Sequence, residues 1–316
     1  MAEEEQVEEK VKDVYKPGLF QPSGVKGAPL FDMDRVWKLM DGAIDVHIHS
    51  GPEAYTTRVA DELQMSIEAC DAGMAAVVFK CHSVPTNRST KLLQRVVDQY
   101  ADEHGKRKTE LFGGVVLNYA IGGLNPEAVI VNERYGGKYV WLPNLDASYH
   151  RKGMGIPGGI EVLDENDNVV PPLKEIFDLI AESDVVLGIC HQSTKERFIL
   201  IDEAKKAGVK KIEVVHPLFE VFKMTFDEIK MLAEKKVYIG LYCWSLAAPL
   251  FDADLTLRTI KEIGPDYLVA GTDCGIFIED RPVEAMRRFI TWMLFSDVPD
   301  KVVERIVKTN ARELLY

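Results

Sequence analysis

The chain has 316 residues, 47% hydrophobic and 28% charged, so it can bury a sizeable core and is neither disordered nor fibrous. Fifty acidic against 38 basic residues give a formal net charge of -12, which argues against a nucleic-acid groove or an anionic membrane surface as the main partner. No apolar run approaches the roughly 18 to 20 residues that span a bilayer, and the opening MAEEEQVEEK is acidic where a secretory leader is basic, so a cytoplasmic protein is expected.

Residues 1–40 are charged and then contain Pro and Gly (KPGLFQPSGVKGAP), the composition of a solvated tail followed by a surface arm, and no catalysis is expected there. Residues 41–316 are read as one domain in which short β-branched runs alternate with amphipathic helical stretches. The runs are AIDVHIH (43–49), MAAVVFKCH (74–82), LFGGVVLN (111–118), KYVWL (138–142), DVVLGICH (184–191), KIEVVH (211–216), VYIGLY (237–242) and DYLVAGTD (266–273). Helical segments such as ADELQMSIEACDAG, TKLLQRVVDQYADEHG and KERFILIDEAKKAG lie between them. Strands joined by crossover helices pair in parallel, and eight such units over about 270 residues match a (β/α)8 TIM barrel, which typically takes about 250. The rival, an open doubly wound sheet, would place a G-x-G-x-x-G turn after its first strand, where this chain has HIHSGPE. Between the fourth and fifth runs lie about thirty residues (143–172), against roughly 2 to 6 in ordinary βα loops. The stretch GIEVLDENDNVVP within them reads as two short strands around a polar turn, so a hairpin-bearing flap over the catalytic rim is expected.

His47 and His49 are two apart on the first run, so both imidazoles project to one side and can bind one metal ion, with Asp45 one layer lower. Alone, an H-x-H pair is as consistent with packing or hydrogen bonding as with ligation. However, five of the seven histidines, His47, His49, His82, His191 and His216, stand at or just past a predicted strand end, and Asp273 ends the eighth run in the same way. In a closed barrel all strand C-termini share one rim, which would bring these residues together. Neutral imidazoles plus one carboxylate are a ligand set for zinc and similar divalent ions, with manganese or iron as alternatives.

This combination resembles the amidohydrolase superfamily of metal-dependent hydrolases. The resemblance lies in H-x-H on the first run, His191 ending the fifth, His216 ending the sixth, Asp273 within GTD, and a closing KTNARELLY similar to the Asn-Ala-x-x-Leu ending of many members. It spans about residues 43–316, and DVHIHSGPE, FKCHSVPTNR, CHQS and VVHP are most similar to an uncharacterised branch. The resemblance implies one or two divalent ions held by His47, His49, His191, His216 and Asp273. It gives Asp273 the proton of the attacking water, and makes His216 either a ligand of a second ion or a contact to the substrate oxygen. One departure concerns the fourth run, where many binuclear members carry a carboxylated lysine or a glutamate and this chain offers Trp141. The site is then mononuclear, or another residue bridges. Lys80, two before His82 and on the same face, either acts in the site or forms an ordinary ion pair.

Further candidates carry alternatives. His82 binds substrate or a second ion. His150 reaches over the site from the flap or lies on the loop surface, and Glu53 supports an imidazole or faces solvent. Arg58, Arg88 and Arg151 follow strands, where a guanidinium grips a carboxylate or phosphate or pairs with a surface acid; Arg88 is the one singled out for substrate. Trp141, Tyr242 and Trp244 line an apolar part of the pocket or pack the barrel. His104 reads as a solvated helix-end residue. The five cysteines form no C-x-x-C pair and read as reduced thiols, and strand alternation turns Cys81 and Cys190 toward the helix layer.

The expected function is a metal-dependent hydrolase acting on a C–N or C–O bond of a small polar molecule, such as an amide, lactam, lactone or amidine. A metal-dependent decarboxylase on the same barrel and a non-catalytic metal- or ligand-binding barrel stand beside it, the latter opposed by Asp273, because storage needs no positioned base. The expected partner is a small molecule, not nucleic acid or membrane, and homo-oligomerisation is left open.

Overall fold

The β-branched runs become eight short parallel strands in the computed structural model, which describes residues 32–219, 222–243 and 251–316. They are β1 (Ile44–His49), β2 (Ala76–Lys80), β3 (Glu110–Val116), β4 (Tyr139–Trp141), β5 (Val186–Ile189), β6 (Ile212–Val214), β7 (Tyr238–Tyr242) and β8 (Leu268–Gly271), hydrogen-bonded in that order. The segment after β8 returns to β1. Asp273 N donates to His47 O at 2.8 Å and His49 N to Cys274 O at 2.9 Å, and the fully buried Asp45 accepts from Thr272 N and Oγ1 at 3.0 and 2.7 Å. A (β/α)8 barrel results, as the count of runs predicts.

Its helices are α1 (Met33–Met40), α2 (Glu62–Asp71), α3 (Asn87–His104), α4 (Pro126–Arg134), α5 (Ser148–Gly153), α6 (Pro171–Ala181), α7 (Thr194–Ala207), α8 (Phe226–Glu234), α9 (Ala253–Arg258), α10 (Pro282–Phe295), α11 (Asp300–Glu304) and α12 (Asn310–Leu315). Helix N-termini follow strand C-termini, so their caps fix the rim loops. Capping boxes Asp61/Gln64, Ser193/Glu196 and Thr225/Glu228 open α2, α7 and α8, each satisfying orphan backbone donors from both sides. The second fixes the two-residue link between His191 and α7. In the Asn-Ala-x-x-Leu ending, Asn310 Nδ2 donates to Pro265 O and to Leu268 O at the start of β8, while Ala311, Leu314 and Leu315 are buried.

Glycines shape the barrel interior at two places. A Cβ on Gly114 of β3 or Gly188 of β5 would strike the Trp141 indole, and one on Gly240 of β7 or Gly271 of β8 would strike the Tyr242 ring. Each large aromatic therefore fills volume that neighbouring strands leave empty. Beneath the rim, Tyr139 Oη and Tyr242 Oη donate to the two oxygens of buried Glu213 on β6, at 2.8 and 2.5 Å. Burial pushes Glu213 up to about 7 against the pull of these hydroxyls.

The insertion after β4 contains α5, which the sequence reading does not foresee, and the expected hairpin in minimal form. That hairpin is one antiparallel bridge, Leu163–Val169, around a turn in which Asp164 accepts from the backbones of Asn166 and Asn168. Val36–Tyr316 forms one compact unit. It begins before the expected boundary at residue 41, because α1 buries Val36, Leu39 and Met40. Most of the proposed N-terminal extension, residues 1–31, lies outside the described residues.

Candidate metal centre and its pocket

His47 and His49 lie on β1, while His82, His191, His216 and Asp273 each stand two residues past the end of β2, β5, β6 and β8. His47 Nε2 and His49 Nε2 are 3.2 Å apart, and Asp273 Oδ1 lies 3.1 and 3.2 Å from them. Asp273 Oδ2 is 3.7 Å from His216 Nε2, and the His191 and His216 rings are 4.9 Å apart. His216 and Asp273 both hold left-handed backbone, φ 39° and 54°, which few non-glycine residues adopt and which often marks functional positions.

This triad fits a divalent ion. Ligands bonded at about 2.0 to 2.2 Å are spaced roughly 3 to 3.5 Å from one another. Two neutral imidazoles offer at most two N–H groups for the three edges of the triangle, so without a cation one edge sets like against like. Burial pushes His47 down to about 4, helped by Lys80, and burial also drives His49, His191 and His216 well below the usual imidazole range. Burial alone would raise Asp273, but His47, His49 and His216 outweigh it and hold the carboxyl ionised. Neutral imidazoles beside a carboxylate are the protonation states that metal binding requires.

A second group, His49, Glu53 and His82, also has metal-ligand spacing. A cation of the chain already stands there, since Arg58 Nη2 lies 3.4 Å from His49 Nδ1, 3.4 Å from Glu53 Oε2 and 3.3 Å from His82 Nδ1. The Glu53 side chain is buried and also accepts from His82 N, Cys81 Sγ and Ser83 Oγ. Burial works against its ionisation, yet the bonds from His82 hold it well below the carboxylate range.

A pocket of about 340 Å³ opens over the triad. Its polar lining includes His49, Arg58, Lys80, His82, Asn144, His150, His191, His216 and Asp273, and its apolar walls include Tyr55, Met154, Phe219, Phe222 and Ile276. His150 arrives on α5, with Nδ1 3.1 Å from His191 Nδ1, so the flap does reach the site. Trp141 lies beneath, stacked on Tyr139, with the His47 ring 6.0 Å away; Tyr242 meets the His47 ring edge-on at 4.9 Å.

Not every expectation holds. Arg88 is not brought to the site: it is exposed on the first turn of α3, beside a separate groove with Ser50, Asp61 and Leu92. Arg151 pairs with Asp146 within the flap. Cys190 lies among the interior charges of Lys80 and Glu213 and not toward the helix layer, and burial pushes its thiol up to about 11. Trp244 lies outside the described residues. His104 is an exposed helix end, as expected, with Nδ1 2.8 Å from Tyr100 O. Tyr55, Phe219 and Phe222 escape the sequence reading, although the aromatic spacing of PLFEVF just after His216 was a signal for the last two.

Eight parallel strands with a His/Asp cluster on the C-terminal rim define a (β/α)8 barrel that carries a candidate metal centre. The chain belongs to a family of unknown function (DUF6282), whose model matches residues 42–240 and so includes His47 through His216 but not Asp273. Solved structures that share the fold include the following three. An amidohydrolase from Pseudomonas aeruginosa has a TM-score of 0.61 at 15% identity, covering 90% of this chain and 98% of that one. A probable dipeptidase from the same organism has 0.59 at 9%, covering 90% and 97%. A phosphotriesterase homology protein from Escherichia coli has 0.58 at 11%, covering 87% and 99%. No curated protein matches the chain in sequence. Among the described residues, no helix is long and apolar enough to cross a membrane.

Proposed function

We propose that the protein is a metal-dependent hydrolase acting on a C–N or C–O bond of a small polar molecule, with one divalent ion, zinc the first candidate, held by His47, His49 and Asp273. The carrying observation is the triangle of donors at 3.1 to 3.2 Å on the rim of the barrel, under a pocket large enough for a small substrate. A bound divalent ion supplies Lewis acidity, acidifying water and polarising the bond under attack.

The chain's own groups supply the rest. Asp273 gives one oxygen to the triad and leaves Oδ2 facing His216, so Oδ2 is the atom placed to take a proton from water and return it to a leaving group. His216, with a neutral ring, is placed to contact a substrate oxygen. His150 and His191 face each other through Nδ1 atoms, so one holds a proton the other can accept. Phe219 and Phe222 form an apolar wall beside His216, each ring centre 6.2 Å from the imidazole. Arg58, filling the second group, supports one ion per chain. The hydrolase reading is also supported by two of the structural neighbours, an amidohydrolase and a probable dipeptidase, which favour a C–N bond.

The test combines metal content by inductively coupled plasma mass spectrometry with turnover in 18O-water on a panel of amides, lactams and lactones. About one ion per chain is expected, lost in the His47→Ala/His49→Ala variant, with 18O entering the product. Asp273→Asn should keep the fold and lose about 10²- to 10⁴-fold in turnover. Carbon dioxide release without 18O incorporation would replace hydrolysis by decarboxylation, and full activity of Asp273→Asn would remove the base.

A further inference from the structure

Lys80 ends β2 with 1% of its surface exposed and lines the pocket beside His82, His191 and Asp273. Its ammonium makes no hydrogen bond or ion pair among the described residues; it faces the Trp141 ring, 5.6 Å from its centre. A buried ammonium is expensive to desolvate unless a counter-charge meets it. The nearby acids among the described residues are committed elsewhere. Glu213 has a tyrosine hydroxyl on each oxygen, Glu53 is held by Arg58 and His82, and Asp273 lies among His47, His49 and His216. In a chain of net charge -12, the pocket therefore keeps one buried ammonium with no hydrogen-bond or ion-pair partner among the described residues.

We infer that Lys80 anchors the acidic group of an anionic substrate, a carboxylate or phosphate, whose apolar body lies against Phe219 and Phe222. Three donors on a flexible stem suit an anion that arrives with the ligand and is absent otherwise. Such a contact also orients the ligand, because the acidic end is drawn to the β2 side and the remainder crosses the rim near Asp273. The inference rests on the pocket being the substrate site of the proposed hydrolase, but its test is binding and not turnover, so the two can fail separately.

Calorimetric titration of the zinc-loaded full chain with benzoate, phenyl phosphate and the neutral benzamide tests it. At least one anion should bind about tenfold or more tightly than benzamide, and which anion binds better distinguishes carboxylate from phosphate. Lys80→Met should bring that anion to the level of benzamide while zinc content and benzamide affinity stay unchanged. Lys80→Gln is the second variant, and a crystal of the wild-type complex should place the anion on Lys80 Nζ whether or not either variant folds. Equal binding of anions and benzamide by the wild type overturns the inference, as does a preference surviving in Lys80→Met or an anion seated away from Nζ. Loss of zinc in Lys80→Met, or a carbonyl resonance from 13C-bicarbonate that this substitution removes, would also overturn it, because the amine would then serve the metal.

Discussion

Asp45 joins the two sides of the candidate site through one carboxylate. Oδ1 accepts from His47 N and Thr272 N, and Oδ2 accepts from Thr272 Oγ1, so the backbones that carry His47 and Asp273 share an anchor. Burial lifts its pKa to about 7, against the pull of the Thr272 bonds. A raised folded-state value means that the protonated acid favours folding. This contribution is full below the unfolded value near 3.9, declines as pH rises, and is gone above about 7. Asparagine can keep the geometry, with its oxygen accepting both N–H groups and its amide donating to Thr272 Oγ1. Urea melts of metal-free Asp45→Asn should therefore lose about 2 to 3 kcal/mol less stability between pH 5 and pH 8 than wild type does. Identical pH profiles would show that Asp45 does not titrate in this range. At this same scale the sequence is a partial guide. H-x-H and GTD point to His47, His49 and Asp273, because ligand chemistry names residue types. Nothing local separates Arg58 from Arg88, since which arginine turns inward is decided by the loop that brings Arg58 alongside Glu53 and His82.

Among the elements, Trp141 on β4 depends on strands that precede and follow it. Gly114 and Gly188 are small because the indole occupies their side-chain space, and Gly188 also lies at the register position paired with Trp141. Gly188→Ala must push the indole toward Lys80 or displace β5, an overpacking that costs about 1 to 3 kcal/mol. Thermal unfolding should show a lowered melting temperature for Gly188→Ala, partly restored by Trp141→Phe in the same chain. Additive losses in the double variant would mean that the two residues do not compete for this volume. All eight strands are visible in sequence because a fully buried parallel strand is a continuous β-branched run. The flap is less legible. Its hairpin reduces to a single bridge, and α5 is only six residues long with basic residues in its last turn, too short for hydrophobic periodicity to register.

For the whole molecule, the candidate ion lies where the ring closes. His47 and His49 come from the first strand and Asp273 follows the last, so their convergence depends on barrel closure and not on proximity in sequence. Strand count and placement of the histidines at strand ends are therefore enough to anticipate the cluster, whereas the pocket walls depend on loop conformations that periodicity does not encode. Closure also gives the metal a mechanical consequence. An ion bound to both ends of the barrel joins residues far apart in the chain, the arrangement in which a clip restricts the unfolded chain most. An ion at a hundredfold excess over its Kd adds about 2.7 kcal/mol to stability, which for a chain of this size raises Tm by roughly 5 °C. Differential scanning calorimetry of chelator-treated protein, before and after zinc is restored, should register that rise, and the His47→Ala/His49→Ala variant should not respond. A wild-type Tm that zinc leaves unmoved, or an equal rise in the double variant, would separate the metal from the β1–β8 seam and move its site elsewhere.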